Sequence, residues 1–163
     1  MSSYLQACHA VQSSPFVMWF TDSIMISLLI WLGHYVSSFL TIGSMVMIDL
    51  RILGLTGKSQ TITETANFYS PWMWIGLSVV AFTGLTMIAS DAVSFCTSGI
   101  LGVNLLVTAV AAASGVFIRK KASAWDRPSG TPLEAKVAAG VSMLLWLGTI
   151  WSAVEVPAIT NVH

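Results

Sequence analysis

The sequence predicts an all-α fold: a single integral membrane domain over residues 1–163, built as an antiparallel four-helix bundle with both termini outside. Three observations lead to this prediction. Of the 163 residues, 55% are hydrophobic and only 9% are charged, whereas a soluble domain carries about 25% charged residues. The charged residues leave four uncharged stretches of 26, 26, 27 and 18 residues. All seven Lys and Arg lie in two of the segments that connect those stretches.

The same composition excludes several classes of protein. Seven basic residues balance seven acidic ones, so the chain has no net positive charge with which to attract nucleic acid. The low charge content also excludes a disordered chain and an ordinary soluble enzyme. We therefore expect the lipid bilayer to be the main partner, and we expect no binding to nucleic acid.

The lengths of the uncharged stretches define the spans. A membrane core about 30 Å thick needs about 20 helical residues, because a helix rises about 1.5 Å per residue. Four spans fit, at residues 24–48, 72–90, 100–118 and 137–154.

The segments around the spans carry start signals. Residues 14–22 are too few to span a membrane and predict a helix that lies in the membrane interface. Ser70-Pro71 predicts the start of the second span, because a hydroxyl residue caps a helix and proline suits its first turn. Thr131-Pro132 followed by Glu134 has the capping-box spacing and predicts the start of the fourth span.

The basic residues predict the orientation of the bundle. They lie in the first and third connections and are absent from the second connection and both terminal tails; they are Arg51, Lys58, Arg119, Lys120, Lys121, Arg127 and Lys136. Basic residues near spans are retained on the cytoplasmic side. The first and third connections should therefore face the cytoplasm, and both termini should lie outside.

Cys8 and Cys96 would both lie outside in this orientation. An oxidising exterior permits a disulfide between them, and two unpaired thiols are the alternative. The sequence does not supply the Cα separation that a bridge requires, so both interpretations stay open.

His34 lies well inside the first predicted span. An ionisable group at that depth indicates a function, and one interpretation is an axial ligand to haem iron, because haem in helix bundles is held by histidines. The other is a neutral histidine that hydrogen-bonds a neighbouring helix. His9 and His163 lie in the terminal tails, outside every predicted span.

Asp49 and Arg51 lie near the end of the first span, two residues apart, so they cannot face each other on a helix. We expect Arg51 to extend toward lipid phosphates and to favour the negative end of the helix. Asp49 should find another partner, for which Arg119 near the third connection is a candidate.

Other catalytic signals are absent from the sequence. Glu64, Asp91 and Glu155 lie at span ends, and no CxxC, HExxH or CxxCH motif or glycine-rich nucleotide loop occurs. We therefore expect no catalytic activity of this chain's own.

Several runs of residues resemble one family. They include Leu32-Gly33-His34-Tyr35, Gly43, Asp49-Leu50-Arg51-Ile52-Leu53-Gly54-Leu55, Ser70-Pro71-Trp72-Met73-Trp74 and Leu144-Leu145-Trp146-Leu147-Gly148. Together they resemble an uncharacterised bacterial family of small four-helix membrane proteins, which is broadly similar to copper-resistance-D-type and b-type cytochrome membrane domains. The resemblance covers residues 24–155, and Asp-Leu-Arg-x-Leu-Gly is its most specific element.

The resemblance implies a bacterial inner membrane location and haem b binding with His34 as one ligand. It also implies a second histidine near the end of span three, where this chain has Phe117-Ile118-Arg119, and an arginine late in span four, where it has Ala153-Val154-Glu155. Both departures remove groups suited to iron or to haem propionates.

Two functions are therefore expected, with a third behind them. The first is a small accessory or anchor subunit of a larger inner-membrane complex, such as a redox complex, whose partners are other membrane subunits or further copies of the chain. The second is a haem b electron-transfer cytochrome that uses His34. A copper or small-solute transporter is weaker, because no discontinuous helix or buried charge is evident from the sequence.

Overall fold

The computed structural model describes residues 3–97, 100–127 and 130–160, with the backbone alone for 100 and 154–160. The secondary structure of these residues is entirely helical, which confirms the all-α prediction. The helices are α1 (Ser3–Gln12), α2 (Pro15–Thr21), α3 (Ile24–Ile52), α4 (Ile62–Ser90), α5 (Ala92–Thr97), α6 (Ile100–Trp125) and α7 (Leu133–Thr160).

Four of the helices, α3, α4, α6 and α7, are long and apolar enough to cross a membrane. This confirms a multi-pass helical membrane protein. The closest packing is within the pairs α3–α4 and α6–α7, and the two pairs meet where α3 packs on α7 and α4 on α6. The four helices therefore form a ring in which each contacts its two neighbours.

Helix α4 begins earlier than the sequence predicts. Thr61 is its N-cap, and the Thr61 side chain and Glu64 form a reciprocal capping box. Pro71 consequently lies inside the helix, so the predicted start at Ser70-Pro71 is wrong. A capping box satisfies two unpaired N–H groups at once, whereas Pro71 merely lacks the N–H that would bond the preceding turn. Residues on both sides of Pro71, among them Ala66 and Met73, are buried in the core, and this packing keeps the chain helical across Pro71.

The buried core is concentrated at one end of the bundle, where α3 ends and α7 begins. We call this the basic end, because all seven Lys and Arg lie there, and we call the opposite end the disulfide end. The buried core residues are Met45, Ile48, Ile52, Ile62, Ala66, Met73, Ala111, Ile118, Ala122, Trp125, Ala135, Ala139 and Trp146. Their small alanines let helix backbones approach, which is how helices associate in lipid.

Toward the disulfide end, each helix pair has its own contacts. Gly76 of α4 lies against α3 so closely that an added Cβ would clash with Thr41 Oγ1 and would lie 2.8 Å from the Ser37 carbonyl oxygen. In the other pair, Asn104 Nδ2 of α6 donates to Ser152 Oγ of α7 at 2.9 Å. The pairs are therefore fastened separately here, in contrast to the shared core at the basic end.

Three short helices lie at the disulfide end. Helix α1 packs on α5, and α2 packs on α3 and α4. Helix α2 covers most of residues 14–22, and Ser14 is its N-cap. The chain turns from α2 into α3 with Ser27 Oγ donating to the Phe20 carbonyl oxygen at 2.9 Å. Gln12 Oε1 accepts from Val93 N at 3.1 Å, which joins the end of α1 to α5.

Candidate functional site

His34 is half-buried between α3 and α4. Its Nδ1 lies 3.0 Å from Thr83 Oγ1. If the Thr83 hydroxyl donates its proton to the Val79 carbonyl oxygen, 2.7 Å away, Thr83 Oγ1 accepts from the Nδ1–H of His34. In this tautomer, Nε2 of His34 carries the lone pair of the ring.

The His34 ring lies on the backbone of α4. A Cβ added to Gly84 would come within 3.3 Å of His34 Cε1, so glycine at this position makes room for the imidazole. The hydroxyls of Ser37 and Ser38 donate to backbone carbonyl oxygens of their own helix, at 2.6 Å to Gly33 and 2.7 Å to His34. The imidazole is therefore paired across the helix interface rather than along α3.

The residues around His34 do not fit a haem held by two histidines. Within the described side chains of α3, α4, α6 and α7, His34 is the only histidine. His9 lies in α1 at the disulfide end, and His163 lies outside the described residues. Ile118, near the place where the resemblance implies a second ligand, is 1% exposed and belongs to the core of the basic end. A bis-histidine haem therefore lacks its second axial ligand among these residues.

A disulfide joins Cys8 of α1 to Cys96 of α5, with the two Cα atoms 6.6 Å apart. This separation is within the range of about 4.4–6.8 Å for such bridges. The structure therefore has the bridged form of the two alternatives that the sequence left open, and both cysteines of the chain are used.

Asp49 is completely buried at 0% exposure. The Ser142 side chain of α7 lies beside its carboxyl group, but neither carboxyl oxygen meets the geometry of a hydrogen bond with any described residue. Arg119, the partner expected from the sequence, instead lines a surface hollow with Trp74, Val116 and Lys120. Asp49 is therefore a buried acid with the Ser142 side chain beside it and no hydrogen bond of standard geometry to a described residue.

Arg51 and Asp126 organise the two connections of the basic end. Arg51 Nε donates to the Gln60 carbonyl oxygen at 2.6 Å, which closes the connection between α3 and α4. Asp126 accepts from the backbone N–H groups of Ile62 at 2.7 Å and Thr63 at 3.0 Å, and from the Thr63 hydroxyl. The Asp126 carboxylate thus caps α4, whose first N–H groups have no partner within the helix and whose N-terminus favours an anion.

Two opposing effects act on the ionisation of Asp126. Burial is the largest and opposes the charged form. The hydrogen bonds from Thr63 and Ile62, together with the positive charge of Arg51, outweigh burial and hold the pKa of Asp126 below its ordinary value. The carboxylate is therefore ionised at neutral pH.

The local sequence predicts only part of the capping of α4. Thr61 followed by Glu64 has the capping-box spacing that marks the start of α4. Nothing local indicates that the carboxylate of residue 126 reaches residues 62–63, because that contact depends on how the two helix pairs pack. Glu134 similarly accepts from Trp125 Nε1 at 3.0 Å.

Comparison with protein-family models, curated proteins and solved structures finds no match to this chain.

Proposed function

We propose that this protein is a small accessory or anchor subunit of a larger membrane complex, without chemistry of its own. The observation that carries the proposal is that polar side chains within the four long helices contact neighbouring helices. His34 hydrogen-bonds Thr83 between α3 and α4, Asn104 hydrogen-bonds Ser152 between α6 and α7, and the hydroxyls of Ser114 and Ser142 lie 3.4 Å apart between α6 and α7. Such contacts hold a bundle together. Among the described side chains of the long helices, the Asp49 carboxyl group and Trp146 Nε1 are buried without such a contact.

The proposed location is a bacterial inner membrane, with the basic end in the cytoplasm and the disulfide end outside. Two independent features support this orientation. Lys and Arg are retained on the cytoplasmic side, and disulfides persist in oxidising compartments outside the cytoplasm. In this protein, the basic residues and the Cys8–Cys96 disulfide lie at opposite ends of the bundle.

A haem b electron-transfer cytochrome is the second candidate, and one observation favours it. The Nδ1 of His34 lies 3.0 Å from Thr83 Oγ1, and a neutral imidazole with one nitrogen fixed by a hydrogen bond is the form that ligates metals through the other. The absence of a second histidine from the described side chains of the four long helices weighs against this candidate.

Two measurements on protein purified from its native membranes in mild detergent separate the two candidates: its migration on a native gel and its absorption spectrum. A subunit should migrate in a complex larger than the single chain, without a stoichiometric Soret band. A cytochrome should show that band and sharp bands on reduction. Migration as a single chain without haem would contradict both candidates.

Two variants make the spectrum decisive. His34→Ala removes the imidazole, whereas Thr83→Val removes only its hydrogen-bond partner. In a subunit, both variants should assemble with a modest loss of stability, because a hydrogen bond between membrane helices is worth about 0.6 kcal/mol and at most about 2 kcal/mol. In a cytochrome, His34→Ala alone should abolish the Soret band.

A further inference from the structure

A cavity of about 560 Å³ opens at the basic end, between the connection from α3 to α4 and the connection from α6 to α7. This volume falls in the range of about 300–1,000 Å³ that is usual for small-molecule sites. Gly54 and Gly130 line it with φ angles of +75° and +99°. Side chains rarely adopt such angles, so both turns depend on glycine.

The cavity is lined by more positive than negative charge. Arg51, Lys58 and Arg127 line it, and Asp126 is the only carboxylate among the lining residues. Both oxygens of Asp126 already accept hydrogen bonds from the first turn of α4. An entering anion would therefore meet three cations and one carboxylate that is directed to the helix.

Two carboxylates near the cavity are also engaged. Glu64 accepts from Thr61 N at 2.7 Å, and Glu134 accepts from Trp125 Nε1 at 3.0 Å. Neither belongs to the lining residues. The acidic groups of this region thus stabilise helix starts and the Trp125 ring. Arg51 acts on Asp126 through its charge, but the described residues include no direct ion pair with the arginines of the cavity.

Both arginines are held in place by Nε. Arg51 Nε donates to the Gln60 carbonyl oxygen at 2.6 Å and Arg127 Nε to the Ala124 carbonyl oxygen at 3.1 Å. The hydrogen bonds between described residues do not use their terminal guanidinium nitrogens. A guanidinium fixed in this way is pre-organised to present a planar pair of donors to a phosphate.

Gly57 contributes to the position of Arg51. It has a φ angle of +59°, and an added Cβ would lie 3.3 Å from Arg51 Cδ. A side chain at this position would therefore both strain the turn and press on the arginine.

We propose that this cavity binds a phosphate-bearing anion through the guanidinium groups of Arg51 and Arg127. The cavity lies where α3 and α6 end, at the edge of the candidate membrane spans. The headgroup of an anionic phospholipid and free phosphate would present the same chemistry there, and basic pockets beside membrane helices bind anionic lipid headgroups. This site is independent of whether the protein is an accessory subunit or a cytochrome.

The test uses the full chain in nanodiscs. Retained lipid is counted by native mass spectrometry in discs of phosphatidylcholine with and without phosphatidylglycerol. Inorganic phosphate is titrated calorimetrically into discs of phosphatidylcholine alone. Arg51→Lys and Arg127→Lys keep the charge but lose the planar pair of donors. Lys136→Gln is the control, because it removes a charge at the same end from an exposed residue outside the lining.

We expect wild-type protein to bind at least one of the two probes, and each Arg→Lys variant to weaken that binding by about tenfold, since hydrogen bonds to charged groups are the strong ones. Retention of phosphatidylglycerol would identify a lipid headgroup, and calorimetric binding of phosphate would identify a soluble anion. The proposal is overturned if wild-type protein binds neither probe, or if Lys136→Gln weakens binding as much as the arginine variants do. Circular dichroism checks that each variant is folded. If Arg51→Lys is unfolded, the binding measured for Arg127→Lys decides the test.

Discussion

Asp126 joins the start of α4 to the end of α6 through one carboxylate that accepts hydrogen bonds from Ile62 and Thr63. Because its pKa is lowered in the folded protein, the folded state binds the proton less tightly than the unfolded chain does. Its contribution to stability is therefore complete above the ordinary aspartate pKa of about 3.9 and is lost as pH falls through the lower folded pKa.

Replacing Asp126 by Asn should therefore have a pH-dependent effect. The variant should melt below wild type at pH 7, and the difference in Tm should shrink as pH is lowered below about 4. Thermal unfolding in detergent at several pH values measures this difference. Asp22→Asn, at an exposed position of the other end, is the control. The difference between its Tm and that of wild type should not change with pH. A gap that persists at low pH would show that Asp126 acts by packing alone.

Asp49 and Arg51 should respond differently to conservative substitution. Asp49→Asn keeps a polar side chain beside Ser142, and it removes an ionisable group from a buried position where neither carboxyl oxygen meets the geometry of a hydrogen bond. We expect its Tm to equal or exceed that of wild type. Arg51→Lys removes the hydrogen bond from Nε to the Gln60 carbonyl oxygen, so its free energy of unfolding should fall by about 1 kcal/mol. A larger loss in Asp49→Asn would reveal a partner for the carboxyl group.

The residue types that could act were recognisable in the sequence, but their partners were not. His34, Asp49 and Arg51 stand out because polar groups in apolar stretches are rare. Whether His34 meets Thr83 or a cofactor depends on how α3 and α4 are rotated against each other, and no local pattern fixes that rotation. Arg119 was a reasonable partner for Asp49 by proximity of connections, yet α6 carries it to the surface beside Lys120.

At the scale of elements, the α3–α4 interface depends on a glycine at one position. Gly76→Ala would drive its Cβ into Thr41 Oγ1 and close to the Ser37 carbonyl oxygen. Because the backbone oxygen cannot move aside, we expect a loss of about 1–3 kcal/mol, typical of overpacking. Unfolding in mixed detergent micelles measures the loss.

Gly43→Ala is the matched control for Gly76→Ala. It lies on α3 with nothing within 4 Å of an added Cβ, and alanine is favoured over glycine in a helix by up to about 1 kcal/mol. It should leave stability unchanged or raised. Equal losses in both variants would mean that the contact of α3 with α4 at Gly76 does not determine the effect.

The helices were predicted more reliably as elements than at their ends. Charge-free length indicates a span because a charged side chain is costly in hydrocarbon, and that cost applies to any sequence. The start of α4 was missed because Ser70-Pro71 and Thr61-x-x-Glu64 are both acceptable start signals. The residues between them, including Ala66 and Tyr69, pack against the core, and that burial extends the helix back to Thr61.

At the scale of the whole molecule, the distribution of charge predicts the orientation in the membrane. A reporter at the N-terminus should be active outside the cytoplasm, and a reporter inserted near residue 129 should be active inside, because the basic residues are concentrated around that connection. Paired phosphatase and fluorescent-protein fusions make the measurement. A fusion after residue 97 is the control and should report the same side as the N-terminus. Phosphatase activity at residue 129 would reverse the proposed orientation.

The Cys8–Cys96 disulfide closes the part of the chain that holds the first helix pair into a covalent ring. The bond closes a ring of chain that contains α2, α3 and α4, whereas α6 and α7 continue from it as a linear segment. A single cut after Lys58, in the connection between α3 and α4, opens this ring without separating its pieces. The nicked protein should run as one band on a gel without reductant and as two bands once the bond is reduced, so the first pair stays covalently joined even after its connection is broken.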